Sequence, residues 1–171
     1  QFTSMPCPKL SSFVFKKNNN NLRDFNKKRD ILFLSNTISR YPMGGTCGHS
    51  RIDFIDDILD NQKQLIDDLI KNKFSIIHKP YNLRVTKLFD NHFKYLESKY
   101  SNSYRLLNIN QKGLTNNLIS SAKILLWDQI GSGTVEAFAN KIPSIIYWKR
   151  IYSQEAPWSK TIIQELQKCG V

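Results

Sequence analysis

Two hydrophobic rhythms alternate along this chain. Short apolar runs at residues 31–34, 74–77, 104–109 and 123–128 have the length of buried strands. Between them, apolar residues recur every three or four positions, the spacing of one helical face. The longest such stripe starts at residue 50 and runs through Ile52, Ile55, Leu59, Ile66 and Ile70 to residue 71. Asp56, Asp57 and Asp60 load its first half with the negative charge that a helix N-terminus favours. Further helices are expected at 85–100, 114–122, 134–140 and 160–168, the last with Ile162, Ile163 and Leu166 facing inward. A fifth strand follows Pro143. This alternation over residues 30–171 predicts an α/β Rossmann-like domain: a parallel sheet, right-handed crossovers and helices on both faces. Residues 1–29 follow neither rhythm. With Pro6, Pro8, an asparagine run at 18–21 and the cluster Lys16, Lys17, Arg23, Lys27, Lys28 and Arg29, they predict a basic linker or lead-in.

The chemistry concentrates where the fourth strand turns into a helix. Gly131, Ser132, Gly133 and Thr134 make a turn of little bulk, so N–H groups at a helix N-terminus can approach an anion closely. The motif is neither of the two best-known phosphate loops. No Gly-Lys-Ser/Thr follows it, and Glu136 stands where a dinucleotide fingerprint has its third glycine. Glu136 has two readings: an acceptor for sugar or ribose hydroxyls beyond the phosphates, or one half of a capping box with Gly133 as N-cap. Asp128, at the end of the fourth strand, is either a donor contact or a cap for loop amides.

Other strand ends add cations. The first strand opens into a loop at 36–50, where Ser35, Asn36, Thr37 and Arg40 can donate to a pyrophosphate, the last as a planar fork. The second strand is expected to stop at Pro80, leaving His78 and Lys79 at its carboxyl edge, Lys79 as a phosphate contact and His78 as an acid or base. Tyr147, Trp148 and Trp158 are either faces for a nucleobase or core residues. His92 reads as structural or solvated. Cys47 and His49 lack a partner cluster, so no metal site is expected.

Residues 128–148, in the order strand, Asp, small-residue turn, Glu-Ala helix, Ile-Pro and apolar strand, resemble the donor-nucleotide half of two-domain GT-B glycosyltransferases. The likeness covers residues 31–171 and is nearest to transferases of bacterial surface-carbohydrate synthesis. CDP-glycerol glycerophosphotransferases and sugar-nucleotide epimerases share the shape more distantly. The resemblance implies one half of a GT-B fold that binds a nucleotide-sugar, or a nucleotide-activated polyol phosphate, as co-substrate with no further cofactor. Asn36, Thr37, Asp128, Gly131, Ser132, Gly133, Thr134 and Glu136 would hold the donor, and Arg40, Lys79 and His78 would serve catalysis. A saccharide or lipid-linked acceptor would be bound mostly by an N-terminal domain outside this chain, and a chain beginning at Gln1 is expected to be a piece of a longer protein.

Composition narrows the partners. Of 171 residues, 25 are Lys or Arg and 14 are Asp or Glu, a net charge of +11 that favours anionic ligands. Three cysteines with no Cys-x-x-Cys pair argue against a disulfide scaffold and fit a reducing cytoplasm. No apolar run approaches the roughly 20 residues that span a bilayer, so any membrane contact is expected to be peripheral, at an anionic inner face. The competing readings are a basic α/β module for nucleic acid or an anionic membrane, and a sugar-nucleotide epimerase-like domain. Nucleic acid is disfavoured because the basic lead-in lacks interleaved aromatic residues.

Overall fold

The computed structural model describes residues 29–35, 55–81, 83–107, 118, 122–129, 131–147 and 160–168. Five strands form one sheet: β1 (Arg29–Leu34), β2 (Ile76–Lys79), β3 (Tyr104–Leu106), β4 (Ala122–Trp127) and β5 (Ser144–Ile146). Every pairing is parallel, in the order β3-β2-β1-β4-β5. The helices are α1 (Ile55–Lys71), α2 (Leu83–Leu88), α3 (Asp90–Lys99), α4 (Ser132–Ala139) and α5 (Lys160–Lys168). This is the expected Rossmann-like α/β architecture.

A parallel sheet covered on both faces needs strands that are apolar on both sides. Central β1 meets that demand: Leu32 and Leu34 point into one core, Ile31 and Phe33 into the other. The first core takes Ile77 of β2, Leu125 and Trp127 of β4, and Ala137 of α4. The second takes Ile76, Tyr104 and Leu126 of the sheet, Ile66 of α1 and Leu96 of α3. Helices α1 and α3 therefore lie on one face and α4 on the other.

Both α1 and α4 end in a Schellman turn built without glycine. Lys73 N–H reaches Ile70 O at 2.9 Å and Phe74 N–H reaches Leu69 O at 3.1 Å, while Lys141 and Ile142 repeat the pattern onto Phe138 and Ala137 at 2.9 and 3.0 Å. The turn residues Lys73 and Lys141 accordingly adopt φ of 66° and 54°, the left-handed region that costs a side chain energy. Exposed Lys141→Gly should raise stability by up to about 1 kcal/mol, read as a higher urea midpoint.

Three expectations shift. The second strand is displaced by two residues, to Ile76–Lys79, because Phe74 is taken up in the Schellman turn of α1. The single helix expected at 85–100 is two, divided at Phe89, whose φ of −119° and ψ of 34° are not helical. The final helix has no buried residue: Ile162 is 55% exposed, where an inward face was expected. The helix expected at 114–122 falls mostly outside the described residues, and its last residue, Ala122, begins β4.

Candidate functional site

In a sheet ordered 3-2-1-4-5, the chain departs from β1 to one side and later returns to the other. The crevice that results lies beyond the carboxyl ends of β1 and β4. Register fixes what reaches that edge. Leu34 pairs with both Lys79 and Trp127, so the ends of β2, β1 and β4 are level, and Ser35 N–H extends the ladder to Lys79 O at 3.2 Å. Asp128 and Gln129 then lead into Gly131 and α4.

The N-terminus of α4 is organised by Thr134, which is wholly buried. Its Oγ1 accepts from Gly131 N–H at 3.2 Å, and its hydroxyl donates to Gln129 O at 3.4 Å. Thr134 N–H returns to Gly131 O at 3.1 Å. The N-cap is therefore Gly131, with Thr134 as its partner; Gly133 and Glu136 do not form the capping box. With Gly131 as N-cap, Ser132 and Gly133 supply the first two helical N–H groups, which have no acceptor inside the helix. Gly131 itself is extended, and a Cβ added there would meet nothing within 4 Å. Glu136 lies one turn into the helix and is 5% exposed.

Lys79 and His78 are neighbours in sequence but sit on opposite faces of the sheet. Lys79 follows Ile77 by two residues and shares its face with α4. It is 7% exposed, burial lowers its ammonium pKa, and no carboxylate among the described residues pairs with it. Strands lie roughly 4.8 Å apart, so β2 is about 10 Å from β4 across β1, a span comparable to a pyrophosphate with its flanking groups.

His78 is fully enclosed on the other face. Its Nδ1 pairs with Tyr104 Oη at 2.8 Å and its Nε2 with Ser35 Oγ at 2.8 Å. Phe33 stacks on the ring at 4.5 Å, and Phe93 meets it edge-on at 5.5 Å. Desolvation pushes its pKa down to about 3, so the ring is neutral at pH 7. The two-residue shift of β2 places His78 within the strand instead of after it, where it braces the end of β1 through Ser35.

Asn36, Thr37 and Arg40, with Trp148, Trp158, Cys47 and His49, lie outside the described residues. Of the proposed donor and catalytic residues, the structure brings Lys79, Asp128 and the Gly131–Thr134 turn to one edge and turns His78 away from it. Tyr147 follows β5 at the same edge, 40% exposed, with its N–H on Trp127 O at 2.7 Å. Sequence reasoning missed Trp127. Its indole N–H is buried at the end of β4 without a partner among the described residues, and only the neighbouring Asp128 turn marked that position. Among the described residues no group of His, Cys, Asp and Glu could hold a metal ion, and no helix is long and apolar enough to cross a membrane.

Fold and edge together define a Rossmann-like α/β domain whose carboxyl edge gathers Lys79, Asp128 and the N-terminus of α4. A family model described as LIC12162 family transferase matches residues 1–171. The chain belongs to that family and is, by class, a transferase. Neither a curated protein nor a solved structure matches it.

Proposed function

We propose that the domain binds a nucleotide-activated donor, a nucleotide-sugar or a nucleotide-linked polyol phosphate, as the donor half of a GT-B-type glycosyltransferase. The acceptor in this reading is a surface polysaccharide or its lipid-linked precursor. One observation carries the proposal: Lys79, almost buried and without a carboxylate partner among the described residues, shares one face and one edge with the open N-terminus of α4, astride the point where strand order reverses. A diphosphate placed there would neutralise Lys79 and accept from the first amides of α4. Asp128 and Glu136 would face the sugar or ribose hydroxyls, and Tyr147 offers an exposed ring to a base.

Catalysis in this reading is electrostatic: Lys79 and the α4 amides would stabilise the departing nucleoside diphosphate as the bond to the transferred group breaks. Arg40, from the loop after β1, would complete the clamp. His78 takes no part in proton transfer; its neutral, enclosed ring positions Ser35.

Calorimetric titration of the chain with UDP, CDP, GDP and ADP is the test, with a single-stranded oligonucleotide at two salt concentrations as the control. One nucleoside diphosphate is expected to bind selectively, and Glu136→Ala to weaken it while the fold persists. Salt-sensitive oligonucleotide binding with no nucleotide preference would sink this reading and leave a basic binding module.

A further inference from the structure

The lysines of this domain fall into two kinds. Lys71 and Lys94 each hold a carboxylate at 2.6 Å, and that hydrogen bond raises the pKa of both ammonium groups. Lys63, Lys123 and Lys168 are likewise paired, at 2.8, 2.7 and 2.8 Å. Lys79 is the opposite case: it is 7% exposed, burial lowers its pKa, and its amine has neither a hydrogen-bond nor an ion-pair partner among the described residues. Its stem is enclosed, but its nitrogen is not sealed. The buried polar atoms left without a partner among the described residues belong to Gln62, His92 and Trp127, and Lys79 Nζ, equally without one, is not of their number. The amine therefore keeps accessible surface at the carboxyl edge. Burial favours its neutral form, and the neutral amine is the nucleophile. A lysine walled along its stem and open at its nitrogen reacts where exposed, paired ammonium groups do not.

We propose that Lys79 is a covalent modification site for acyl phosphates, and that its acylation closes the donor site; the second clause rests on the nucleotide reading above. Two features select the reagent class. The amine needs an electrophilic carbon to attack. The first two amides of α4, on the same face and edge, favour a reagent whose leaving group is a phosphate. In the reaction the Lys79 nitrogen attacks the carbonyl carbon, the bond from that carbon to the bridging phosphate oxygen breaks, and inorganic phosphate leaves with the electron pair. The proton on nitrogen passes to water, and a neutral amide remains. That amide sits in the enclosed position without the cost of a buried charge, so the modified state is well tolerated by the fold. It has also lost the charge that a charge-assisted hydrogen bond to a diphosphate requires. Acylation at this one nitrogen thus acts on donor binding and leaves folding intact.

The test is acetylation of the full chain by acetyl phosphate near neutral pH, with sites and rates read by mass spectrometry. Lys73, Lys141 and Lys160, all exposed, are the internal references, and acetic anhydride, which carries no phosphate, is the control reagent. Lys79 should take the acetyl group roughly tenfold faster than any reference lysine, the gain in free amine that one pKa unit gives. Inorganic pyrophosphate should protect it. The acetylated chain should bind nucleoside diphosphate roughly ten- to a hundredfold more weakly, the loss of one charge-assisted hydrogen bond, while treated Lys79→Met should show no further change. Equal rates at Lys79 and the reference lysines would overturn the proposal, as would a preference for Lys79 no greater with acetyl phosphate than with acetic anhydride. Selective acetylation that leaves nucleotide affinity unchanged would overturn the closing of the site. Selective acetylation of a chain that binds no nucleoside diphosphate would keep the modification site and sink the nucleotide reading instead.

Discussion

Acidification from pH 6.5 to 4 is expected to destabilise the protein by several kcal/mol, before most of its carboxylates titrate. His78 and His92 are buried neutral, with pKa values held down to about 3 and about 4 by desolvation. In the unfolded chain both return to the ordinary value near 6.5. The unfolded state therefore binds more protons throughout the interval, and stability falls with pH at roughly 1.4 kcal/mol per unit for each group until its folded pKa is reached. Above pH 6.5 the contribution is intact. A second loss begins lower, because Asp30 and Asp67 are held to about 2, the first chiefly by its hydrogen bond with Lys123 and the second by that with Lys71. Their stabilisation is complete above the ordinary carboxylate value and disappears as pH falls through 2. Urea unfolding from pH 7 to 3 measures the first loss and the onset of the second. His78→Gln keeps hydrogen-bonding capacity without a titrating ring and should flatten the first loss; a wild-type midpoint constant between pH 7 and 4 would refute the assignment.

Replacing Lys79 by Met should separate binding from stability. A charge-assisted hydrogen bond to a phosphate contributes about 1.5–3 kcal/mol, so nucleoside diphosphate affinity should fall roughly ten- to a hundredfold. Folding should not suffer, because a lysine that is 7% exposed, with no carboxylate beside it among the described residues, costs free energy in the absence of ligand. The sign follows from the direction of its shift. Burial lowers the Lys79 pKa below its ordinary 10.5, so the penalty is fully present below the folded pKa. It fades as pH rises from the folded pKa toward 10.5, where the folded protein has lost the proton and the unfolded chain still holds it. The Lys79→Met protein should thus match or exceed the wild type at pH 7, with the gap closing at alkaline pH. Unchanged nucleotide affinity in the variant would remove Lys79 from the proposed site.

The fold was legible because its strands and helices carry different periods. Ile31 to Leu34 and Ile124 to Trp127 are apolar at every position, as a doubly covered strand must be, and the α1 stripe recurs at helical spacing. Strand type and order of succession follow from such local patterns. The turn at Gly131–Thr134 was legible for the same reason, since low bulk after an apolar run is a local signal. The boundaries that mattered most were not. Nothing in Phe74-Ser-Ile-Ile-His-Lys marks where α1's Schellman turn ends and β2 begins, and a displacement of two residues decided the surroundings of His78 and Lys79.

Adjacent residues of a strand point to opposite faces, so a pair that looks like one functional unit in sequence is divided by the sheet. His78 entered a core with Phe33, Phe93 and Tyr104, and Lys79 joined the face of α4. Those partners come from separate strands and helices, and no local spacing announces them. Gln62 and His92 are a third case: each is buried on its own helix with no hydrogen-bond partner among the described residues, which no local spacing announces. Periodicity along the chain determined the elements and their class, and low bulk after an apolar run marked the turn at Gly131–Thr134. Burial, sidedness and the unsatisfied buried groups were decided by packing, because they depend on contacts between segments distant in sequence.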